Sequence, residues 1–356
     1  MHYLFTTVSV LLTSFILSAF ASPDIPLGPE CLSEPMSSTS FRKDDIRFES
    51  HGAVLNGHLY LPQKEGRYPA MVMMHGGGSN VENLRSAPTF FAELLVRCGF
   101  AVVTYDKHGT GESGGDYASS TFDTFVADAG YAGKFLSRHA EVDDSRIGIL
   151  GFSQGGRLAP VVATRYPHFS FVASVSGPIA SVKETRMYAL ESGFREAGVS
   201  ESIIQEAMPF WSRHFDAITH RDQELLQKIS EEARTTTDLN HALLPPSARQ
   251  LQMNGILNSM GRDYTEELSA LSVPWYSLYG EADIIVPVET SIANIERIRS
   301  TSGNSDIEIK TIPGVGHSFV SADRSRSHRF ELDVLAWLFE TADVDIHPTG
   351  VHTANR

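Results

Sequence analysis

Basic residues are scarce in this sequence. It has 29 Lys and Arg against 43 Asp and Glu, which gives a formal net charge of -14 at pH 7. Binding to nucleic-acid phosphates or to an anionic membrane surface needs a basic stripe that this composition does not supply. The composition therefore argues against a nucleic-acid partner and against a stable membrane partner of the mature protein.

Cysteine is almost absent. Cys31 and Cys98 are the only two in 356 residues. If the chain is exported, both thiols meet an oxidising compartment, where such a pair can form a disulfide. The alternative is two unrelated thiols, with Cys98 simply packed at the end of a helix, and the sequence leaves both interpretations open.

Only the first residues form a long apolar run. This run has signal-peptide length and ends in Ala19-Phe20-Ala21, the small-x-small pattern that a signal peptidase accepts. We predict a signal peptide over residues 1–21, cleaved after Ala21, and a secreted or periplasmic protein. The alternative is an uncleaved membrane anchor, although a run this short only marginally spans a bilayer.

The rest of the chain has the composition of a folded domain, with 42% hydrophobic and 20% charged residues. Residues 22–44 are rich in Pro and Ser and predict a linker. The segments IRFES and AVLNGHLYLP then predict an antiparallel pair with a turn near His51-Gly52.

Further along, short apolar runs alternate with longer helical stretches, a pattern typical of a mostly parallel sheet with helices on both faces. We predict an α/β fold with an eight-stranded sheet, whose core covers residues 45–181 and 272–342. A helical lid insertion is predicted over residues 182–271 and a C-terminal tail over 343–356. Within the insertion, Ile204, Met208, Trp211 and Phe215 form a helical stripe interrupted by Pro209.

A serine crowded by glycines follows one of the apolar runs, in RIGILGFSQGG. Gly151-Phe152-Ser153-Gln154-Gly155 has the Gly-x-Ser-x-Gly pattern of a nucleophile elbow, a sharp strand-to-helix turn that exposes the serine. A Cβ two residues before or after Ser153 would clash in such a turn, which explains the glycines. The motif alone is weak, because chance produces it at an appreciable rate in a chain of this length.

The run HGGG and the amide of Gln154, at the start of the predicted helix after Ser153, predict donors for developing negative charge. HGGG, His75 to Gly78, follows another predicted strand, and a glycine run lets backbone amides face a reacting oxygen. We predict an oxyanion hole formed by the N–H groups of Gly77 and Gln154, with Gly78 as the alternative to Gly77.

The partners of the serine are predicted from position and order. Asp283 follows the apolar run PWYSLYG, and His317 lies in the loop after IEIKTI. The order Ser…Asp…His, each after a predicted strand, is the order expected for a triad built on a nucleophile elbow. Glu281 and Asp306 are the alternative acids.

Together these motifs resemble the α/β-hydrolase superfamily over about residues 45–342. MMHGGGSN, YDKHGTGESGG, GFSQGG, YGEADIIVP and GVGHSF are most similar to its dienelactone hydrolase and prolyl oligopeptidase-like branch. The chain departs from dienelactone hydrolases in having Ser rather than Cys at 153, and from prolyl oligopeptidases in lacking their long N-terminal propeller. The resemblance implies catalytic roles for Ser153, Asp283 and His317, no metal or organic cofactor, and a structural role for the turn Tyr105–Gly115.

The predicted function is hydrolysis of carboxylic esters, with a small-molecule ester or amide as substrate. An amidase, peptidase or thioesterase with the same triad is the alternative. A non-catalytic binding protein of this fold is a third hypothesis, disfavoured because every triad position is filled.

Overall fold

The computed structural model describes residues 31, 41–78, 81–236, 239–251, 253–319 and 329–344. The predicted signal peptide, residues 1–21, lies outside the described residues, as do most of the predicted linker and of the C-terminal tail. Cleavage after Ala21 and export therefore stay predictions. None of the helices within the described ranges is long and apolar enough to cross a bilayer.

The described residues form one eight-stranded sheet. Its strands are β1 (Phe41–Ser50), β2 (Ala53–Pro62), β3 (Tyr68–Met74), β4 (Ala101–Tyr105), β5 (Val142–Phe152), β6 (Phe171–Val175), β7 (Trp275–Gly280) and β8 (Ile307–Ile312). Their order is β1-β2-β4-β3-β5-β6-β7-β8. The β1–β2 and β2–β4 pairs are antiparallel, and all the others are parallel. The predicted mostly parallel sheet is confirmed.

The hairpin of β1 and β2 turns at the predicted place. His51 and Gly52 have φ values of 45° and 77°, the positive values that a tight turn with the twist of the flanking strands requires at both central residues. Strand β1 begins at Phe41, which pairs with Pro62. The last four residues of the predicted linker, 41–44, are thus strand.

Helices cover both faces of the sheet. They are α1 (Val81–Arg97), α2 (Phe122–Leu136), α3 (Gln154–Arg165), α7 (Val288–Ser302) and α8 (Arg329–Thr341), with α4 to α6 in the insertion described below. Side chains alternate along β3: Met71 and Met73 pack in one core cluster with Phe91 of α1, while Val72 packs in another with Phe125 of α2 and with α3. This alternation explains why the strands are apolar on both sides.

The two cysteines form a disulfide. Cys31 is bonded to Cys98, 67 residues further along and just beyond the end of α1. The bond ties an N-terminal residue that precedes the sheet to the helical layer that contains α1. Of the two interpretations open from the sequence, the structure has the disulfide.

The segment between β6 and β7 is helical. It contains α4 (Val182–Glu196), α5 (Glu201–Thr219) and α6 (Gln223–Thr236), followed by the short 3-10 helices His241–Leu243, Leu257–Ser259 and Glu267–Ala270. Unlike the prediction, Pro209 does not interrupt α5. Pro209 and Gln205 are both exposed, so water can satisfy the Gln205 carbonyl that lacks its backbone donor.

Candidate active site

Ser153 occupies the sharp turn between β5 and α3. Its φ and ψ of 52° and -113° are a strained combination that a non-glycine residue rarely adopts. A Cβ on Gly151 would lie 2.2 Å from the Gly155 carbonyl oxygen, and one on Gly155 would lie 2.4 Å from the Met74 carbonyl oxygen. The turn therefore has the predicted close approach of the residues on either side of the serine.

A continuous chain of hydrogen bonds joins Ser153, His317 and Asp283. His317 Nε2 lies 2.9 Å from Ser153 Oγ, and His317 Nδ1 lies 2.7 Å from Asp283 Oδ2. The Asp283 side chain is fully buried, and its Oδ1 accepts hydrogen bonds of 2.8 and 2.9 Å from the backbone N–H groups of Ile285 and Val286. Because the carboxylate is held at both oxygens, it fixes the orientation of the imidazole.

The two alternative acids lie elsewhere. Glu281 is exposed, and its Oε2 accepts a 3.3 Å hydrogen bond from the Gly314 N–H. Asp306 is exposed beside Ser305, before β8. Within the described ranges neither carboxylate has a hydrogen bond to His317, so Asp283 is the acid that meets the histidine.

The glycine loop after β3 lies against the start of α3. A Cβ on Gly77 would lie 3.3 Å from Gln154 Nε2 and 3.2 Å from Ile256 Cδ1. The backbone N–H of Gly78 donates a 3.1 Å hydrogen bond to the Tyr117 hydroxyl. Since the Gly78 donor is occupied, Gly77 is the better placed of the two predicted candidates. The N–H of Gln154 belongs to the first residue of α3.

Lys107 lies beneath this loop, directly after β4. Its side chain is almost fully buried, and its Nζ donates hydrogen bonds to the Gly76 carbonyl oxygen, at 2.8 Å, and to Gln154 Oε1, at 2.7 Å. Burial lowers the pKa of the ammonium group to about 7. In the sequence, YDKHGTG indicates only a structural turn after β4, and nothing in it indicates the partners of Lys107, which lies two residues after the end of that strand.

The rest of the turn after β4 is anchored as a structural element. The carboxylate of Asp128, on α2, is fully buried; its Oδ1 lies 2.6 Å from His108 Nδ1, and its Oδ2 accepts from the His108 N–H at 3.0 Å. The hydrogen bond to Asp128 raises the pKa of His108. Ser50 Oγ also donates to Asp128, at 2.7 Å. These bonds join the turn to β1 and α2.

Metal-ligating residue types do not gather at this site. No group of three or more His, Cys, Asp and Glu side chains in the part of the chain that the structure describes is arranged to hold a metal ion. The groups that do meet are a serine, an imidazole and a buried carboxylate, with amide N–H groups beside them. Such an arrangement can activate a hydroxyl nucleophile and stabilise an oxyanion.

The sheet order, the flanking helices and the serine turn after β5 define an α/β-hydrolase. The sequence profile of the family described as "Serine aminopeptidase, S33" matches residues 68–323, and the chain belongs to this family of serine hydrolases. Membership of the dienelactone hydrolase and prolyl oligopeptidase-like branch stays a prediction.

Curated relatives include an esterase and a lipase. The chain is 28% identical to esterase EstD of Thermotoga maritima over 170 residues, which cover 46% of this chain and 40% of that protein. It is 24% identical to the monoacylglycerol lipase of Mycolicibacterium smegmatis over 228 residues, which cover 64% of this chain and 74% of the lipase. The match thus spans less than half of EstD.

Solved structures of similar architecture cover nearly the whole domain. The α/β-hydrolase GrgF from Penicillium sp. sh18 superimposes with a TM-score of 0.56 at 15% identity, over 85% of this chain and 99% of that one. An esterase of Pyrococcus furiosus gives a TM-score of 0.52 at 17% identity, over 85% and 91% of the respective chains. At these identities the likeness concerns the fold.

Proposed function

We propose that this protein is an exported hydrolase of carboxylic esters that forms an acyl-enzyme on Ser153. The observation that carries the proposal is the hydrogen-bonded chain from Ser153 Oγ through His317 to the buried carboxylate of Asp283. The esterase and the lipase among the relatives support ester hydrolysis.

In the acylation step, Ser153 Oγ attacks the ester carbonyl carbon while His317 Nε2 takes the hydroxyl proton. Asp283 accepts a hydrogen bond from the Nδ1–H group of His317. This bond holds the correct tautomer and stabilises the imidazolium that forms. The carbonyl oxygen becomes an oxyanion, and the N–H groups of Gly77 and Gln154 donate to it. The tetrahedral intermediate collapses when His317 gives its proton to the leaving alcohol.

In the deacylation step, water replaces the alcohol. His317 takes a proton from the water as its oxygen attacks the acyl carbon, and the same N–H groups hold the second oxyanion. Collapse releases the carboxylic acid and returns the proton to Ser153. Protons and electron pairs balance over the cycle, which is a net hydrolysis.

The insertion supplies residues that reach the site, which supports a role as a lid. Tyr188 of α4 donates a hydrogen bond to the Asp283 carbonyl oxygen, and Ile256 lies against Gly77. An apolar side chain beside the glycine loop is placed to contact the acyl part of a bound ester. We propose that residues 182–271 contribute to acyl preference.

Export is supported by two independent features. The apolar run over residues 1–21 ends in a signal-peptidase pattern, and the Cys31–Cys98 disulfide suits an oxidising compartment. N-terminal sequencing of the protein recovered from the native host should give Ser22 as the first residue. An intact Met1 on the recovered protein would contradict cleavage.

The test of the nucleophile is covalent labelling. A fluorophosphonate probe should label Ser153, because only a base-activated serine reacts rapidly at neutral pH. Ser153→Ala should abolish both labelling and ester hydrolysis. The matched control is Ser170→Ala, which removes a hydroxyl bonded to the Ile147 carbonyl before β6 and should label normally. Equal labelling of wild type and Ser153→Ala would refute the assignment.

An amidase or peptidase is the second candidate, because the family is described as a serine aminopeptidase. A phenolate leaves an aryl ester unaided, whereas the nitrogen of an anilide must be protonated as it departs. We expect kcat/KM for short aryl esters to exceed that for matched anilides by about 10²–10⁴, the range for general acid catalysis. Equal rates on both substrates would favour the peptidase.

A further inference from the structure

The ammonium group of Lys107 joins the two segments that carry the proposed oxyanion donors. One hydrogen bond goes to the Gly76 carbonyl oxygen in the loop after β3, and the other goes to the side chain of Gln154 at the start of α3. Nζ also lies 4.7 Å from the centroid of the Phe125 ring, a cation-π contact. The ammonium group therefore has two hydrogen-bond acceptors and one aromatic contact.

The contact with Gly76 acts on the peptide unit of Gly77. The carbonyl of Gly76 and the N–H of Gly77 belong to the same planar amide. A cationic donor on the carbonyl oxygen fixes the plane of this amide and draws electron density from its nitrogen, which makes the opposite N–H a stronger donor. The same carbonyl oxygen also lies 3.0 Å from His75 Nδ1, so Lys107 acts together with His75 on the direction and the donor strength of the Gly77 N–H.

The contact with Gln154 determines which way its side-chain amide faces. An ammonium group only donates, so the amide must present Oε1 to Lys107 and Nε2 to the other side. Nε2 faces Gly77, is buried, and has no hydrogen-bond partner among the residues that the structure describes. A buried NH₂ group without an acceptor is costly unless a ligand supplies one.

No carboxylate forms an ion pair with Lys107 within the described ranges. The carboxylate of Asp128, whose charge raises the pKa of Lys107, is engaged by His108 and Ser50. Burying an ammonium beside neutral acceptors is expensive, and an apolar side chain would fill this place at lower cost. The retention of a charge here therefore calls for a role beyond packing the turn.

We propose that Lys107 is a positioning residue of the oxyanion hole, which orients and polarises the Gly76–Gly77 peptide and turns the Gln154 amide so that Nε2 is a third donor. The inference deepens the proposed function and rests on it. It predicts that Lys107 acts on the transition state, where the oxyanion exists, and little on the bound ester.

The first experiment replaces the ammonium group. Lys107→Met should lower kcat for an aryl ester by about 10- to 100-fold, somewhat less than removal of a direct oxyanion donor, and leave KM within about threefold. Lys310→Met is the matched control, because it removes an ammonium group from the ion pair with Asp333, and it should leave kcat unchanged. A Lys107→Met enzyme with the wild-type kcat, or with only a raised KM, overturns the proposal.

The affinity for a trifluoromethyl ketone inhibitor distinguishes a positioning role of Lys107 from a merely structural one. This inhibitor forms a hemiketal with the serine, and its oxygen occupies the oxyanion position. Its affinity for Lys107→Met should fall by the same factor as kcat. Unchanged affinity in a variant with lowered kcat overturns the proposal.

The second variant keeps the test valid if Lys107→Met does not fold. Gln154→Met preserves the backbone N–H but removes both the acceptor for Lys107 and the Nε2 donor, and it should lower kcat about 10-fold. In the double variant, Lys107→Met should cost less than it does alone, because one of its two partners is missing. A fully active Gln154→Met enzyme, or independent effects of the two substitutions, contradicts the assignment.

The pH dependence of kcat supplies an independent comparison. Since burial lowers the pKa of Lys107 to about 7, the wild-type kcat should fall as the ammonium loses its proton above that pH. Lys107→Met should lack this alkaline limb, and profiles of identical shape for both enzymes overturn the proposal. If Ser153→Ala still hydrolyses esters, the proposed function fails; if Ser153→Ala is inactive and Lys107→Met is fully active, only this inference fails.

Discussion

The phenol hydroxyl of Tyr188 donates a 2.8 Å hydrogen bond to the backbone carbonyl oxygen of Asp283. Tyr188 lies on the first helix of the insertion, and Asp283 lies in the loop after β7. The amides of Ile285 and Val286 hold the carboxylate of Asp283, whereas the insertion holds its main chain. The insertion is therefore connected to the acid through Tyr188 and to the glycine loop through Ile256.

Tyr188→Phe should weaken this connection without emptying the space that the ring fills. We expect a loss of about 1 kcal/mol in the free energy of unfolding, the usual contribution of one hydrogen bond, and a severalfold lower kcat. Urea denaturation and initial rates measure the two effects. The control is Tyr131→Phe, on α2, whose hydroxyl has no hydrogen bond to another described residue; losses of equal size in both variants would contradict a specific role.

Asp283→Asn should retain the fold and lower kcat by about 10⁴, because an amide at this position favours the wrong tautomer of the imidazole. Steady-state kinetics on an aryl ester measure the loss, and the fluorophosphonate reaction should slow in parallel. Glu281→Gln, two residues away and exposed, should change kcat less than about twofold. A larger loss of kcat in Glu281→Gln than in Asp283→Asn would identify Glu281 as the acid of the triad.

Gly155→Ala should destabilise the protein by about 3 kcal/mol or more, because its Cβ would lie 2.4 Å from the Met74 carbonyl oxygen and either α3 or β3 must shift. Gly193→Ala is the opposite case. Gly193 lies within α4, and a Cβ there would meet no atom within 4 Å. Because Ala is the better helix former, the substitution should raise the free energy of unfolding by about 0.5–1 kcal/mol. Chemical denaturation of both variants checks the contrast, which equal effects would refute.

Acid should destabilise the insertion through His214. This side chain is buried between Trp211 and Phe215, and burial lowers its pKa to about 4. Between that value and about 6.5, the unfolded chain binds a proton that the folded protein does not, so stability falls as the pH falls through this window. Near pH 4 this effect of His214 lowers the free energy of unfolding by about 3 kcal/mol.

His214→Phe should flatten this part of the stability-pH curve, measured as the free energy of unfolding in urea from pH 7 to 4. The control His220→Gln changes an exposed histidine at the end of the same helix and should retain the wild-type slope. A wild-type slope in His214→Phe would assign the acid sensitivity to other groups.

Much of the fold follows from local patterns in the sequence. The strand-to-helix turn predicted at Ser153 lies between β5 and α3 in the structure, and the predicted hairpin turn lies at His51-Gly52. Both depend on local chemistry: a glycine-flanked turn, and a pair of residues with positive φ. The prediction was wrong about Pro209, because the cost of a proline depends on whether water reaches the unpaired carbonyl.

The site shows where local patterns stop. The sequence predicts the order of Ser153, Asp283 and His317 and their positions at strand ends, because each residue lies in its own short motif. It does not predict the link from Lys107 to Gly76 and Gln154, since this link depends on β3 lying between β4 and β5 in the sheet. Of the predicted stripe, Trp211 donates from Nε1 to the Leu243 carbonyl oxygen within the insertion, and Phe215 is buried in the core cluster that also contains Val72 and Phe125. The helical periodicity of this stripe does not distinguish side chains that pack the insertion from side chains that line a substrate pocket.

Because β8 is an edge strand of the sheet, enzyme activity should report the local unfolding of this strand. His317 follows this strand, which pairs only with β7 among the described strands, while Ser153 follows β5 in the interior. Marginal strands detach at a lower free-energy cost than central ones. Turnover should therefore vanish at denaturant concentrations that leave most of the helix signal in circular dichroism native, and it should return at once on dilution.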